Sequence, residues 1–476
     1  MSEENTKSSE SIIKYISIGL GAVVMAFVLF TGARAYGFKK TQTARALTAE
    51  ENAALQKVLW ENYGDRNVTL KSLPYKINNA DLDVWAESAI LIDTANGNIL
   101  YEKNADEVIP PASMTKLFCM YVVEEEIAAG RFSYNQVIPL PPQSWACNMP
   151  PHSSLMFLGE GQVVTMEELL LGLSICSGND AAYALAYTVC GNMEDFVERM
   201  NQIAYDLGLT HTHFVESSGY SEKNTTTARE MALFCRKYIE RHPSSIARFH
   251  SVTSFTYPKE KNLAPGDVMQ VQDFTRSFPR HITTSFTQQN TNPLLGRLDG
   301  VDGLKTGYID ESGYNLSLTA RRNGTRFLSV TMKGPGTSNA EGQKGRVHDG
   351  TELMNWAFDN FADYNTESFN HSYFLRTFGA KEKGINIVPA YADKVLTAPY
   401  ITGADMEENL SNIKVYLNID SSKWGTIEQG EVCGNIKITL NDYLLQEIPL
   451  VADRTISSAN VFVQLSDCII RAVLAP

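Results

Sequence analysis

The 476-residue sequence predicts an α+β protein, an antiparallel sheet with an inserted helical region, followed by a small all-β domain. Three observations lead there. Strand-like runs lie early, at Ser88–Asp93, and again late, at Tyr314–Arg322 and Thr325–Met332. Between them stand segments that open with helix-capping signatures. From about Gly379 the texture changes to short alternating runs.

Taken in order, Tyr15 to Ala33 runs nineteen residues without a charge, enough to span a bilayer as a helix. Lys7 and Lys14 precede it, and Ala33-Arg34-Ala35 has the small-x-small form of a signal peptidase site. The run is longer than a usual signal core, and Arg34, Lys39 and Lys40 follow it, which fits export poorly under the positive-inside rule. Residues 1–40 are read as a signal peptide or an N-terminal membrane anchor. Either places the rest outside the cytoplasm, secreted or associated with the cytoplasmic membrane.

Residues 41–80 read as a spacer holding a short helix, Thr48 to Trp60, opened by a Thr48-x-x-Glu51 capping box. The main domain follows over 81–365. Ser88–Asp93 and Ile99–Tyr101 form a hairpin about Ala95-Asn96-Gly97-Asn98, and a helix from Ser113 to Gly130 starts after Pro110-Pro111. Thr165-x-x-Glu168 and Thr227-x-x-Glu230 each open a further helix as capping boxes. Asp180 begins another, closed by Gly191, and Asn323-Gly324 joins two late strands as a type I′ hairpin. Residues 254–286 look like an inserted loop that shapes the site. The β-domain covers 380–455, with strands at Ile385–Val388, Ile413–Leu417 and Ile436–Leu440. Residues 456–476 form an amphipathic helix with Val461, Phe462, Leu465, Cys468, Ile469 and Val473 on one face, and Asn460, Gln464, Asp467 and Arg471 on the other. That helix suits docking on protein or on a membrane.

A net charge of −13 argues against nucleic acid as a partner, because phosphate binding needs a basic surface. The seven cysteines show no Cys-x-x-Cys and no His at metal-ligand spacing. His211-Thr212-His213 lacks a third ligand nearby, so no metal is expected. No Gly-x-Gly-x-x-Gly or Walker-type loop is present, so no nucleotide cofactor is expected.

Chemistry enters with three motifs in order: Ser113-Met114-Thr115-Lys116, Ser177-Gly178-Asn179 and Lys305-Thr306-Gly307. Ser-x-x-Lys occurs three times and Ser-x-Asn four times, but Lys-Thr-Gly occurs once, and only one ordered combination has fitting surroundings. A serine hydroxyl needs a neighbouring base to become a nucleophile. Lys116, three residues on along a helix, shares a face with Ser113 and can be that base if it is neutral. Lys305 and Thr306, on a strand beside the nucleophile, can bind a carboxylate, and Gly307 allows close backbone approach. The N–H groups of Ser113 and Tyr308 can form an oxyanion hole. Asn179 can hold a substrate amide, and Ser177 can relay a proton.

Residues 84–364 resemble the D-alanyl-D-alanine carboxypeptidases, the low-molecular-weight penicillin-binding proteins. The likeness lies in IPPASMTKL, GEGQVVTMEELLLGLSICSGNDAA, TTTAREMALF, and NTNPLL followed by GVDGLKTGYIDESGYNLSLTA. Residues 380–455 resemble that family's C-terminal β-domain through IEQGEVCGNIKITLNDYLLQEIPLVAD. The resemblance implies a β-lactamase/transpeptidase-like catalytic domain that trims the terminal D-alanine from peptidoglycan stem peptides and is acylated by β-lactams. Ser113, Lys116 and Ser177 would be catalytic, and Asn179, Lys305, Thr306, Gly307 and Tyr308 would bind substrate. Gly178 replaces the central Asp of the Ser-Asp-Asn motif of class A β-lactamases and, with the β-domain, favours the carboxypeptidase, while Tyr308 stands where some members have His. A β-lactamase, a DD-endopeptidase on the same residues and a non-catalytic penicillin-binding scaffold are the rival readings.

Overall fold

The computed structural model describes residues 3–64, 69–77, 81–274, 278–400, 406–441 and 443–474. The expected spacer at 65–68 and 78–80, and the end of the terminal helix at 475–476, lie outside these residues. The chain forms two compact units. One is Asn67–Asp363 with Thr397–Ala404; the other is Met1–Arg66 with Tyr364–Leu396 and Asp405–Pro476. The second unit opens with helices α1 (Glu3–Lys40) and α2 (Ala49–Tyr63), the latter closed at its start by the expected Thr48–Glu51 box.

The first unit is built on β1 (Lys71–Ser72), β2 (Ser88–Asp93), β3 (Asn98–Lys103), β6 (Val301–Ile309), β7 (Gly313–Arg322) and β8 (Thr325–Gly334). Their order is β1-β3-β2-β8-β7-β6, antiparallel throughout except for β1 with β3. Early and late strands meet where Ile90 lies opposite Val330. The run Ser88–Asp93 is buried at every position because both faces of the sheet are covered. Side chains alternate along a strand. Ile90 and Ile92 therefore join the core of the helical region, while Ala89 and Leu91 join Leu353, Met354 and Ala357 of α8 (Asn339–Asn360). The helical region comprises α3 (Lys116–Ala128), α4 (Met166–Ser174), α5 (Asn179–Cys190), α6 (Met193–Asp206) and α7 (Ala228–Arg241).

Four details depart from the sequence reading. The helix expected from Ser113 begins as a 3-10 turn, Ala112–Thr115, and becomes α-helical only at Lys116. Ala112 sits at φ +50°, outside the right-handed helical region, so the regular α-helix cannot include it. The Thr165–Glu168 box forms in both directions, but at Thr227 only half of it does. Glu230's carboxylate instead accepts from His211 N at 3.0 Å and the Thr212 hydroxyl at 2.6 Å. Residues 254–286 are not a plain loop. β4 (Ser254–Tyr257) pairs with β5 (Phe286–Gln289), and Phe278 and Phe286 pack on Phe157 with ring centroids 5.6 and 4.1 Å apart. Helix α8 was not expected, although Ser338 accepting from Glu341 N caps it with the same Ser-x-x-Glu spacing used elsewhere.

In the other unit, β9 (Tyr373–Phe378), β10 (Gly384–Pro389), β11 (Ile413–Ile419), β12 (Lys423–Trp424), β13 (Val432–Leu440) and β14 (Tyr443–Ala452) form one sheet, ordered β11-β13-β14-β10-β9-β12. On β13, Ile436, Ile438 and Leu440 are buried in the alternation the sequence shows, and Cys433 is buried with them. The terminal helix α9 spans Val461–Leu474 and docks along a narrow line of positions that includes Asp467 of the face read as polar. Ser466, Asp467 and Ile470 are buried, while Val461, Phe462, Leu465, Ile469 and Val473 are exposed.

Candidate active site

The tight turn of Ala112–Thr115 presents Ser113 at the mouth of a cleft of about 590 Å³, lined among others by Asn179, His152, Tyr220, Glu222 and Tyr308. Lys116, fully buried, places Nζ 2.9 Å from Ser113 Oγ. Nζ also lies 2.8 Å from Asn179 Oδ1 and 2.5 Å from the carbonyl oxygen of Ser218. Burial lowers this amine to about 8, opposed by the field of Glu216. When Lys116 is neutral, the two oxygens take its two N–H bonds and leave the lone pair for the Ser113 proton.

Asn179, rather than Ser177, is the second-motif residue that touches Lys116. Ser177 is buried at φ +57°, and among the described residues its hydroxyl makes no hydrogen bond to Lys116. A side chain at this backbone position is strained, and such strain gathers at functional sites. Gly178 has a local reason: a Cβ there would lie 2.6 Å from Asp180 Oδ1 and 3.0 Å from Met156 N. Asp180, fully buried, accepts from Met156 N, Phe157 N, Leu158 N and its neighbour Ala181 N at 2.8–3.0 Å, which ties the 156–158 segment to the motif. Burial pushes its carboxyl up, and these four donors pull it back.

Strand β6 brings Lys305, Thr306, Gly307 and Tyr308 alongside. Gly307 is required by contact, since a Cβ would stand 2.5 Å from Pro111 O beside the nucleophile turn. Lys305 is buried, and its Nζ donates to Thr306 O at 3.0 Å. No carboxylate forms an ion pair with it among the described residues. Burial, then the positive fields of Lys116 and Arg346, drive its pKa well down. Thr306 Oγ1 donates to Thr291 Oγ1 at 2.7 Å. Tyr308 is half-exposed; its ring stacks on Tyr314 at 4.3 Å and its hydroxyl donates to Asp310 at 2.7 Å, which pushes that phenol up to about 12.

Four contributors were not visible in the sequence: Ser218, Glu216, Arg346 and Asp180. Glu216 accepts from Ser218 N at 2.7 Å, Gly219 N at 2.6 Å and Asn224 Nδ2 at 3.0 Å, which fixes the loop that turns the Ser218 carbonyl toward Lys116. Gly219 lets that loop meet the nucleophile turn; a Cβ would overlap Ala112 O at 1.8 Å. Arg346, from α8, donates to Gly307 O at 2.5 Å and Asn315 O at 3.0 Å, holding β6 from behind. Cys119 and Cys176 lie close by as buried free thiols; burial raises both, Cys176 to about 12, which leaves them in the inert thiol form. Among the described residues no three His, Cys, Asp or Glu side chains converge on a metal position.

A serine hydrogen-bonded to a buried lysine on a helical unit, faced by a Lys-Thr-Gly strand, is the motif set of active-serine acyl-transfer proteins. The chain belongs to the D-alanyl-D-alanine carboxypeptidase family, whose pattern matches residues 75–336; the pattern described as Penicillin-binding protein 5, C-terminal domain, matches 376–458. It is similar to D-alanyl-D-alanine carboxypeptidase DacC of Escherichia coli (strain K12), 30% identical over 391 residues, covering 81% of this chain and 87% of that one. DacF of Bacillus subtilis (strain 168), also a D-alanyl-D-alanine carboxypeptidase, is 29% identical over 376 residues, covering 79% and 86%. The crystal structure of penicillin binding protein 5 from Haemophilus influenzae superposes with a TM-score of 0.64 at 26% identity, covering 80% of this chain and 100% of that one.

Proposed function

We propose that this serine-type D-Ala-D-Ala carboxypeptidase removes the terminal D-alanine of peptidoglycan stem peptides through an acyl-enzyme on Ser113. The observation that carries the reading is the Lys116 amine, buried and 2.9 Å from Ser113 Oγ, near a second buried lysine that no carboxylate among the described residues pairs with. The terminal carboxylate of the peptide docks on Lys305 and Thr306, and Asn179 holds the preceding amide. Neutral Lys116 takes the Ser113 proton as Oγ attacks the carbonyl of the penultimate D-alanine. The oxyanion is received by the N–H groups of Ser113 and Tyr308, at positions supported from behind by Arg346. The C–N bond then breaks, and the proton held by Lys116 passes to the departing amine, with the Ser177 hydroxyl as relay once it turns toward Lys116. Water attacks the ester with Lys116 again as base, which returns free Ser113. In a β-lactam the broken amide stays tethered in the adduct, so the leaving amine blocks the approach of water and the ester persists.

In this reading residues 81–365 carry the chemistry, 380–455 form the β-domain, and the protein works outside the cytoplasm, associated with the membrane through its N-terminal segment. The test is D-alanine release from diacetyl-Lys-D-Ala-D-Ala by the wild type and Ser113→Ala. The wild type releases D-alanine and the variant loses at least about 10³-fold. Rapid penicillin hydrolysis without a stable adduct would favour a β-lactamase. Cleavage of cross-linked dimers alone would favour an endopeptidase. No activity in a folded protein would favour a scaffold.

A further inference from the structure

We infer that α1 is a permanent part of the folded protein, held by a part-buried Arg34–Asp467 lock, and not a leader removed on export. The Ala33-Arg34-Ala35 site reads as a point of cleavage, yet the structure carries α1 unbroken through it to Lys40. The residues around the site are spent on packing. Arg34 Nη2 donates to Asp467 Oδ2 at 2.7 Å and to Ala380 O at 3.4 Å, and Arg34 Nε also donates to Asp467. Asp467 is fully buried, and the same Oδ2 accepts from Gly379 N at 2.7 Å. Phe38, also fully buried, stacks on Phe378 of β9 at 4.8 Å and shares a cluster with Ile470 and Ala35.

The contacts step along α1 and α9 in the same direction: Phe27 and Phe30 meet Phe462, Arg34 meets Asp467, and Phe38 shares its cluster with Ile470. α1 and α9 are thus a parallel helix pair. Cleavage after Ala35 would leave Arg34 on the discarded piece and Asp467 as a buried carboxylate without a cation. Removing one partner of a buried pair is strongly unfavourable. It would also cut the helix that presents Phe38. By contrast, residues 15–26 of α1 are exposed, and the helix is long and apolar enough to cross a membrane. One helix thus has an unpacked half suited to lipid and a packed end suited to the β-sheet unit. The consequence is a protein tethered through a helix that the fold itself needs.

The full-length chain, made in a host that processes exported proteins, is recovered from membranes and its intact mass and N-terminal sequence are measured. The inference expects the residues preceding Tyr15 to be still attached; a mature chain beginning at Tyr36 overturns it. Arg34→Gln, Asp467→Asn and the double variant are then unfolded in detergent, with fluorescent-penicillin labelling as the check that the catalytic unit is intact. The lock predicts that each single variant lowers the unfolding midpoint and that the double variant lowers it little further. Additive losses, or no loss in either single variant, would overturn the lock.

Discussion

Two buried lysines face the cleft and their surroundings assign them opposite work. Lys116 has three oxygen neighbours, one of them the nucleophile, so its useful state is the neutral amine. Lys305 has a single backbone acceptor, and its useful state is the cation that a substrate carboxylate would restore. The pH dependence follows from the first. Burial sets Lys116 near 8, and the amine is neutral above that value, so acylation speeds up as pH rises through about 8. At pH 6 roughly one molecule in a hundred carries the free base, and penicillin acylation of the free enzyme falls about a hundredfold from its plateau. A stopped-flow profile from pH 6 to 10 reads this directly; a flat profile would take the base role from Lys116.

At the scale of elements, the site is three pieces brought into contact by glycines and one buried acid. Gly307 and Gly219 each let a neighbouring segment reach the nucleophile turn, and Asp180 fastens the 156–158 wall to α5. Asp180→Ala would leave the N–H groups of Met156, Phe157 and Leu158 without this acceptor. Each buried donor left unpaired costs about 1–3 kcal/mol. We therefore expect a clear drop in the urea unfolding midpoint together with slowed acylation, and a milder effect from Asp180→Asn, which keeps one acceptor. An unchanged midpoint in Asp180→Ala would contradict the role given to this carboxylate. What was legible beforehand divides along the same lines. Ser113 with Lys116, and Lys305 with Thr306 and Gly307, each sit within one turn or strand, so spacing alone reveals them. The Ser218 carbonyl reaches Lys116 across 102 residues, and a backbone oxygen leaves no mark on composition. Arg346 was hidden because α8 itself went unread. The terminal helix showed its two faces in the sequence but not which residues it buries, since the partner of Asp467 lies 433 residues away on α1.

Across the whole molecule, the sequence made one ordered set of motifs stand out, and the fold turns that set into a single cleft on one compact unit. The net charge of −13 argues against nucleic acid as a partner, and the long apolar helix near the N-terminus fits a signal or a membrane anchor. Everything in this account passes through one atom, Ser113 Oγ. The most direct measurement incubates the full chain with a fluorescent penicillin, digests it, and locates the adduct by mass spectrometry. The account predicts a single ester adduct on the peptide containing Ser113, absent from the folded Ser113→Ala variant. An adduct on another residue, or none in a folded wild-type protein, would contradict it.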